Sequence, residues 1–81
     1  MSNFEASKRI NLRAARVNMN LTQVEAAEAI NELCNSVVVT KDTISRWETG
    51  ESFPDVRHIP AIERVYRRPY DTISFLPTNN D

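Results

Sequence analysis

Thr40-Lys41-Asp42-Thr43-Ile44-Ser45-Arg46-Trp47-Glu48-Thr49-Gly50 places a helix cap, a short helix with one apolar face and a glycine stop in a single short run. Ile44 and Trp47, three positions apart, share an inward stripe, which leaves Lys41, Asp42, Ser45 and Arg46 available to a partner. A helix so built can enter a nucleic-acid groove, dock on a protein or simply face water. Its meaning depends on what surrounds it.

Upstream, Thr22 and Glu25 have capping-box spacing just before Val24, Ala26, Ala27 and Ile30, predicting a helix from Gln23 to about Leu33 or Cys34. Ala26 and Ala27 are small enough to let another helix backbone approach closely. Residues 7–19 predict an earlier helix, with Leu12, Ala15 and Met19 inward and Arg9, Arg13 and Asn20 toward solvent. Ser2 and Glu5 have the spacing to extend it. Between the second and third helices, Asn35-Ser36-Val37-Val38-Val39 reads as an extended connector, because a turn signal meets three β-branched residues. Its valines brace the adjacent helices if buried and form a protein-contact patch if exposed.

Downstream, Ser52-Phe53-Pro54-Asp55 predicts a turn into a fourth helix from Arg57 or His58 to Tyr66. Pro60 falls in its first turn, where a missing N–H costs least. Pro69 predicts the opening of a fifth helix holding Tyr70, Ile73 and Phe75 or Leu76, followed by a frayed tail at 77–81. The expected core is Leu12, Ala15, Leu21, Ala27, Ile30, Ile44, Trp47, Ile59, Ile62, Val65 and Ile73. The fold class is therefore all-α: a compact five-helix bundle with a helix-turn-helix and an elongated connector. One domain is expected over 1–81, with its core about 7–76.

Eighty-one residues allow one modest core and no separate sensing or catalytic domain. With 41% hydrophobic residues, 26% charged residues and one glycine, the chain reads as folded and mostly helical. A net charge of −1 excludes a strongly basic, non-specific nucleic-acid coat. The distribution says more than the sum. Lys8, Arg9, Arg13 and Arg16 face only Glu5 near the start, whereas Glu25, Glu28 and Glu32 make the second helix acidic. Such a basic edge beside an acidic shoulder suits oriented docking on phosphates.

Cys34 is the only cysteine, which excludes an internal disulfide and a cysteine zinc cluster, and a cytoplasmic location is expected. No run approaches the roughly 20 apolar residues that span a bilayer, and the polar start does not read as a signal peptide. His58 alone defines neither a metal site nor a catalytic base; a surface or partly buried position is expected. Without a glycine-rich phosphate loop, a ligand cluster or an activated nucleophile, no enzyme, metal or cofactor is expected.

Taken together, Arg16, then Leu21-Thr22-Gln23-x-Glu25-x-Ala27, then Thr43-Ile44-Ser45-Arg46-Trp47-Glu48-x-Gly50-x-x-x-Pro54, then Ile62 and Tyr70-Asp71-x-Ile73 resemble the phage repressor and Cro type of helix-turn-helix domain. The resemblance covers roughly residues 9–75. It implies a homodimeric transcription regulator, of phage or prophage type, that sets its third helix in the major groove of a palindromic double-stranded DNA operator. The family's base-reading positions match Lys41, Asp42 and Arg46. Its phosphate contact at the start of the second helix matches Gln23, and Arg16 with Glu48 matches a salt bridge that turns Arg16 toward a phosphate. Thr40, Thr43 and Ser45 fall where hydroxyls reach backbone oxygens, and Arg57 is a further phosphate candidate.

The residues themselves support this in part. Arg46 offers a bidentate fork to guanine O6 and N7; Lys41 reaches the same acceptors or a phosphate. Asp42 suits a helix start and secondarily the exclusion of wrong bases. Trp47 reads as core rather than as a stacking platform. Arg68, Pro69, Tyr70, Ile73 and Phe75 either form the dimer surface or close the core. Three departures stand out: the connector is longer than the family's tight turn, Glu51 sits where a basic residue is common, and Arg67 replaces a glycine. The alternative function is a protein-interaction module, such as an antitoxin or repressor accessory protein. Its partner would bind the acidic second helix, the valine connector or the apolar C-terminal end.

Overall fold

The computed structural model describes residues 9–35 and 38–75. In chain order these form β1 (Ile10–Asn11), α1 (Leu12–Asn18), α2 (Gln23–Leu33), α3 (Lys41–Thr49), α4 (Ile59–Tyr66) and β2 (Ile73–Ser74). Single 3-10 turns precede α4 at Val56–His58 and β2 at Tyr70–Thr72. The architecture is mostly helical, as expected, with four α-helices among the described residues.

Two expectations about the elements are corrected. α1 begins at Leu12 rather than Ser7, because the Asn11 side chain caps it by accepting from the Ala14 N–H at 2.7 Å. Ile10 and Asn11 are thereby left extended. They pair in parallel with Ile73 and Ser74, in the register Ile10 with Ile73. The fifth helix does not form: after Pro69 the chain makes one 3-10 turn, closed by Thr72 N–H to the Pro69 carbonyl, and the β-branched Ile73 continues as strand. The suggested extension through Ser2 and Glu5, along with Ser36, Val37, Leu76 and the tail, lies outside the described residues.

Ile30, Ile44 and Ile62, one from each of α2, α3 and α4, are almost fully buried and mark the centre of the core. Burying each is worth about 1.5–3 kcal/mol. Leu12, Ala15, Ala27, Trp47 and Ile73 join them, while Leu21, Ile59 and Val65 are only partly buried against the cluster. Tyr66, Ala26, Ala61, Cys34 and Val39 complete it. α2 packs most extensively on α3, and the buried Ala26 and Ala27 leave room for that approach.

The caps follow the sequence closely. Thr22 and Glu25 satisfy each other's backbone N–H groups at the start of α2. Thr40 and Thr43 do the same for α3, and Gly50 ends it in the left-handed conformation at φ 85°. Arg67, where the resembled family favours glycine, ends α4 at φ 58°.

Among the described residues, the connector is anchored by the Asn31 side chain. Asn31 Nδ2 donates to the Val39 carbonyl at 2.7 Å and Asn31 Oδ1 accepts from the Val39 N–H at 2.8 Å. This amide imitates a strand partner and seats Val39 in the core at 2% exposure, whereas Val38 faces solvent at 74%. One valine braces the helices and its neighbour does not. His58 is likewise corrected: it is buried, not at the surface, and its ring tilts against Trp47 at a centroid distance of 5.3 Å. Among the described residues, neither ring nitrogen meets a hydrogen-bonding partner.

Candidate nucleic-acid interface

At about 100° per residue, burying Ile44 and Trp47 turns Asp42 and Thr49 straight outward on α3, with Lys41 and Ser45 to one side and Arg46 to the other. Lys41, Asp42, Arg46 and Thr49 are exposed, and Ser45 is half-buried. The cap at Thr40 holds the first turn of this helix in place. Trp47 is core, so it offers no platform for a base.

A groove of about 630 Å³ runs between α1, the first turn of α2 and the Lys41 side of α3. That volume would suit a small organic ligand, but such pockets are usually walled by apolar and aromatic side chains. Here Val24 is the only hydrophobic residue among the lining ones; the others include Arg13, Gln23, Lys41 and Ser45. The groove suits an anion.

Glu48 organises one wall. Its Oε2 accepts from Arg16 Nε at 2.6 Å, and its Oε1 accepts from Arg16 Nη2 at 3.2 Å and from Gln23 Nε2 at 3.1 Å. Arg16 Nη1 donates to the Leu21 carbonyl at 2.8 Å. The expected Arg16–Glu48 pair is therefore present, with side chains only 11% and 6% exposed. The hydrogen bond to Glu48 raises the Arg16 guanidinium above its ordinary pKa against the opposing pull of burial. This single carboxylate ties together α1, α2 and α3. The buried Tyr66 phenol is pushed up, by desolvation first and by Glu48 second.

The structure brings Lys41, Ser45, Gln23 and Arg16 to one groove and leaves Asp42 and Arg46 on the adjoining face of α3. Thr40 and Thr43 are spent mostly on each other: two backbone bonds and one bond between the hydroxyls leave one hydroxyl hydrogen for an outside acceptor. Arg57 is not part of the groove. It lies in the 3-10 turn and grips Asp55 with Nε at 3.1 Å and Nη2 at 3.0 Å. Side-chain and backbone hydrogen bonds from Arg57 lower the Asp55 carboxyl to about 2.

Of the C-terminal candidates, Ile73 is buried and Phe75 packs partly on the core, while Pro69 and Tyr70 are exposed and Arg68 Nε donates to Thr72 Oγ1. Arg13, Thr22, Val24 and Thr49 also line the groove and had not been singled out for it. Helical spacing was the available signal: Arg13 lies three positions before Arg16, and Thr49 four after Ser45. Among the described residues there is no cluster able to hold a metal ion, and no helix is long and apolar enough to cross a membrane.

A family model described as helix-turn-helix matches residues 12–73, from the first residue of α1 to the first of β2. No curated protein and no solved structure matches the chain significantly.

Proposed function

The chain belongs to the helix-turn-helix family of repressor and Cro type, a family of DNA-binding transcription regulators, and from this premise we propose that it binds a palindromic operator as a homodimer and represses by occluding promoter DNA. In this reading α3 enters the major groove. Arg46 forks onto guanine, and Asp42, a carboxylate in the first turn of α3 rather than its cap, accepts from cytosine N4 where that base is presented. A good bidentate contact is worth about 1–3 kcal/mol of discrimination. Lys41 shares the same turn and is within the family's base-reading set. Pro69 and Tyr70, exposed beside Arg68, supply the dimer surface, and two half-sites about one helical turn apart supply the specificity that one small module lacks.

The observation that carries this reading is the division of α3. Its inner face is locked by Ile44 and Trp47, while its outer face keeps the Asp42 and Arg46 side chains exposed and without partners among the described residues. The test is selection of bound fragments from random duplex DNA, followed by titration of the selected and a scrambled duplex. A palindromic product is expected, and R46A should cut the preference by roughly 5- to 150-fold. A preference unchanged by R46A would sink the recognition-helix assignment.

The protein-interaction alternative draws on the solvent-facing Val38 and on Leu33, 46% exposed at the end of the acidic α2. It predicts no salt-sensitive DNA binding at all.

A further inference from the structure

Arg16 is poorly placed to serve as a phosphate ligand. Its Nε, Nη1 and Nη2 each donate one hydrogen bond, which leaves two N–H groups on a residue only 9% exposed. A phosphate approaching it would also meet the Glu48 carboxylate. Gln23, the other phosphate candidate on this wall, already donates one amide hydrogen to that carboxylate.

Arg13 and Lys41 stand differently. Both line the same groove, Arg13 from α1 and Lys41 from the first turn of α3, and both are exposed. Neither side chain makes a hydrogen bond or an ion pair among the described residues. Since Arg16 and Glu48 cancel, these two cations set the charge of the groove. The same groove is lined by Ser45, whose hydroxyl makes no hydrogen bond among the described residues, and by Gln23 and Val24, whose N–H groups open α2 without an intrahelical acceptor.

We propose that Arg13 and Lys41 clamp one backbone phosphate of the duplex across this groove, and that Arg16 acts only as the strut that holds the groove's walls together. The clamp rests on the DNA-binding reading above. A phosphodiester has two non-bridging oxygens, one for the guanidinium of Arg13 and one for the ammonium of Lys41. Lys41 thereby fixes register rather than reading a base, and base discrimination falls to Arg46 and Asp42.

The test compares wild type, R13A, K41A, R13K and the R13A/K41A double variant on the selected and the scrambled duplex over a salt series. Circular dichroism and thermal unfolding serve as controls for the fold. Each alanine variant should lose affinity for both duplexes by the same factor, leaving the preference ratio unchanged, and R13K should retain most of the wild-type affinity. The double variant should bind with a log K against log salt slope shallower by about 0.9, the value for one phosphate. A slope shallower by about 1.8 would put the two cations on separate phosphates and overturn the clamp. So would R13A binding like wild type, or K41A altering preference at one base pair. A wild type with no salt-sensitive binding would overturn the DNA-binding reading itself, and the clamp with it.

Discussion

Removing Glu48 should destabilise the protein far more than removing an ordinary surface charge. In Glu48→Ala the Arg16 guanidinium keeps only its bond to the Leu21 carbonyl at a site where it is 11% exposed. Stranding one member of a buried pair costs about 3–5 kcal/mol, and the surviving carbonyl bond puts this case at the low end, about 3 kcal/mol. A domain of this length has a total stability of about 4–12 kcal/mol, so a quarter or more is lost. At about 4–8 °C per kcal/mol, the melting temperature should fall by about 12–24 °C. Urea unfolding followed by circular dichroism measures the loss directly, with the m-value as a check on two-state behaviour. The double variant R16M/E48L supplies the control: with both charges replaced by apolar groups it should lie within about 1 kcal/mol of wild type. A loss below about 1 kcal/mol in E48A would refute the argument, since that is how a solvated surface pair behaves. Equal losses in the single and double variants would refute it too, by tracing the effect to packing.

Arg67 holds a left-handed conformation at φ 58° and ψ 42°, which disfavours an L-residue by about 1–2 kcal/mol. Arg67→Gly relieves this but loosens the unfolded chain, so a net gain of about 0.5–1 kcal/mol in thermal or urea unfolding is expected. A destabilised variant would contradict it. The Asp55 carboxyl, held down by Arg57, should titrate near 2 by NMR, and should return toward about 3.9 in R57A. Because the folded value is the depressed one, the contribution of this pair is complete above the unfolded pKa and disappears as pH falls through the folded value. An unshifted carboxyl in the wild type would show that the pair does not persist in solution.

What the sequence disclosed was mostly local. Thr22 with Glu25, Thr40 and Gly50 act within one turn of themselves, so their spacing alone locates the ends of α2 and α3. The inward stripes were legible for the same reason. The errors arose where a distant segment decides a local outcome. The failure of the fifth helix depends on Ile73 pairing with Ile10, whereas the Asn11 cap that starts α1 is itself local. His58 is buried because Trp47 lies against it, which no spacing near residue 58 reveals. In the candidate interface, the exposed face of α3 was readable and the Arg16–Glu48 pair was expected from the resemblance, but the engagement of Gln23 by the same Glu48 depends on three helices meeting. Only that meeting moves attention from Arg16 to Arg13.

The Asn31 amide gives the long connector an evolutionary freedom. By fixing Val39 directly to α2, it separates the placement of α3 from the number of residues that lead up to it. Doubling a loop's length adds only about 0.6 kcal/mol of closure entropy, so insertions ahead of the Asn31–Val39 anchor should leave the pose of α3 unchanged. The helix-turn-helix thus carries a site where new sequence can be sampled without retuning the helix beside it.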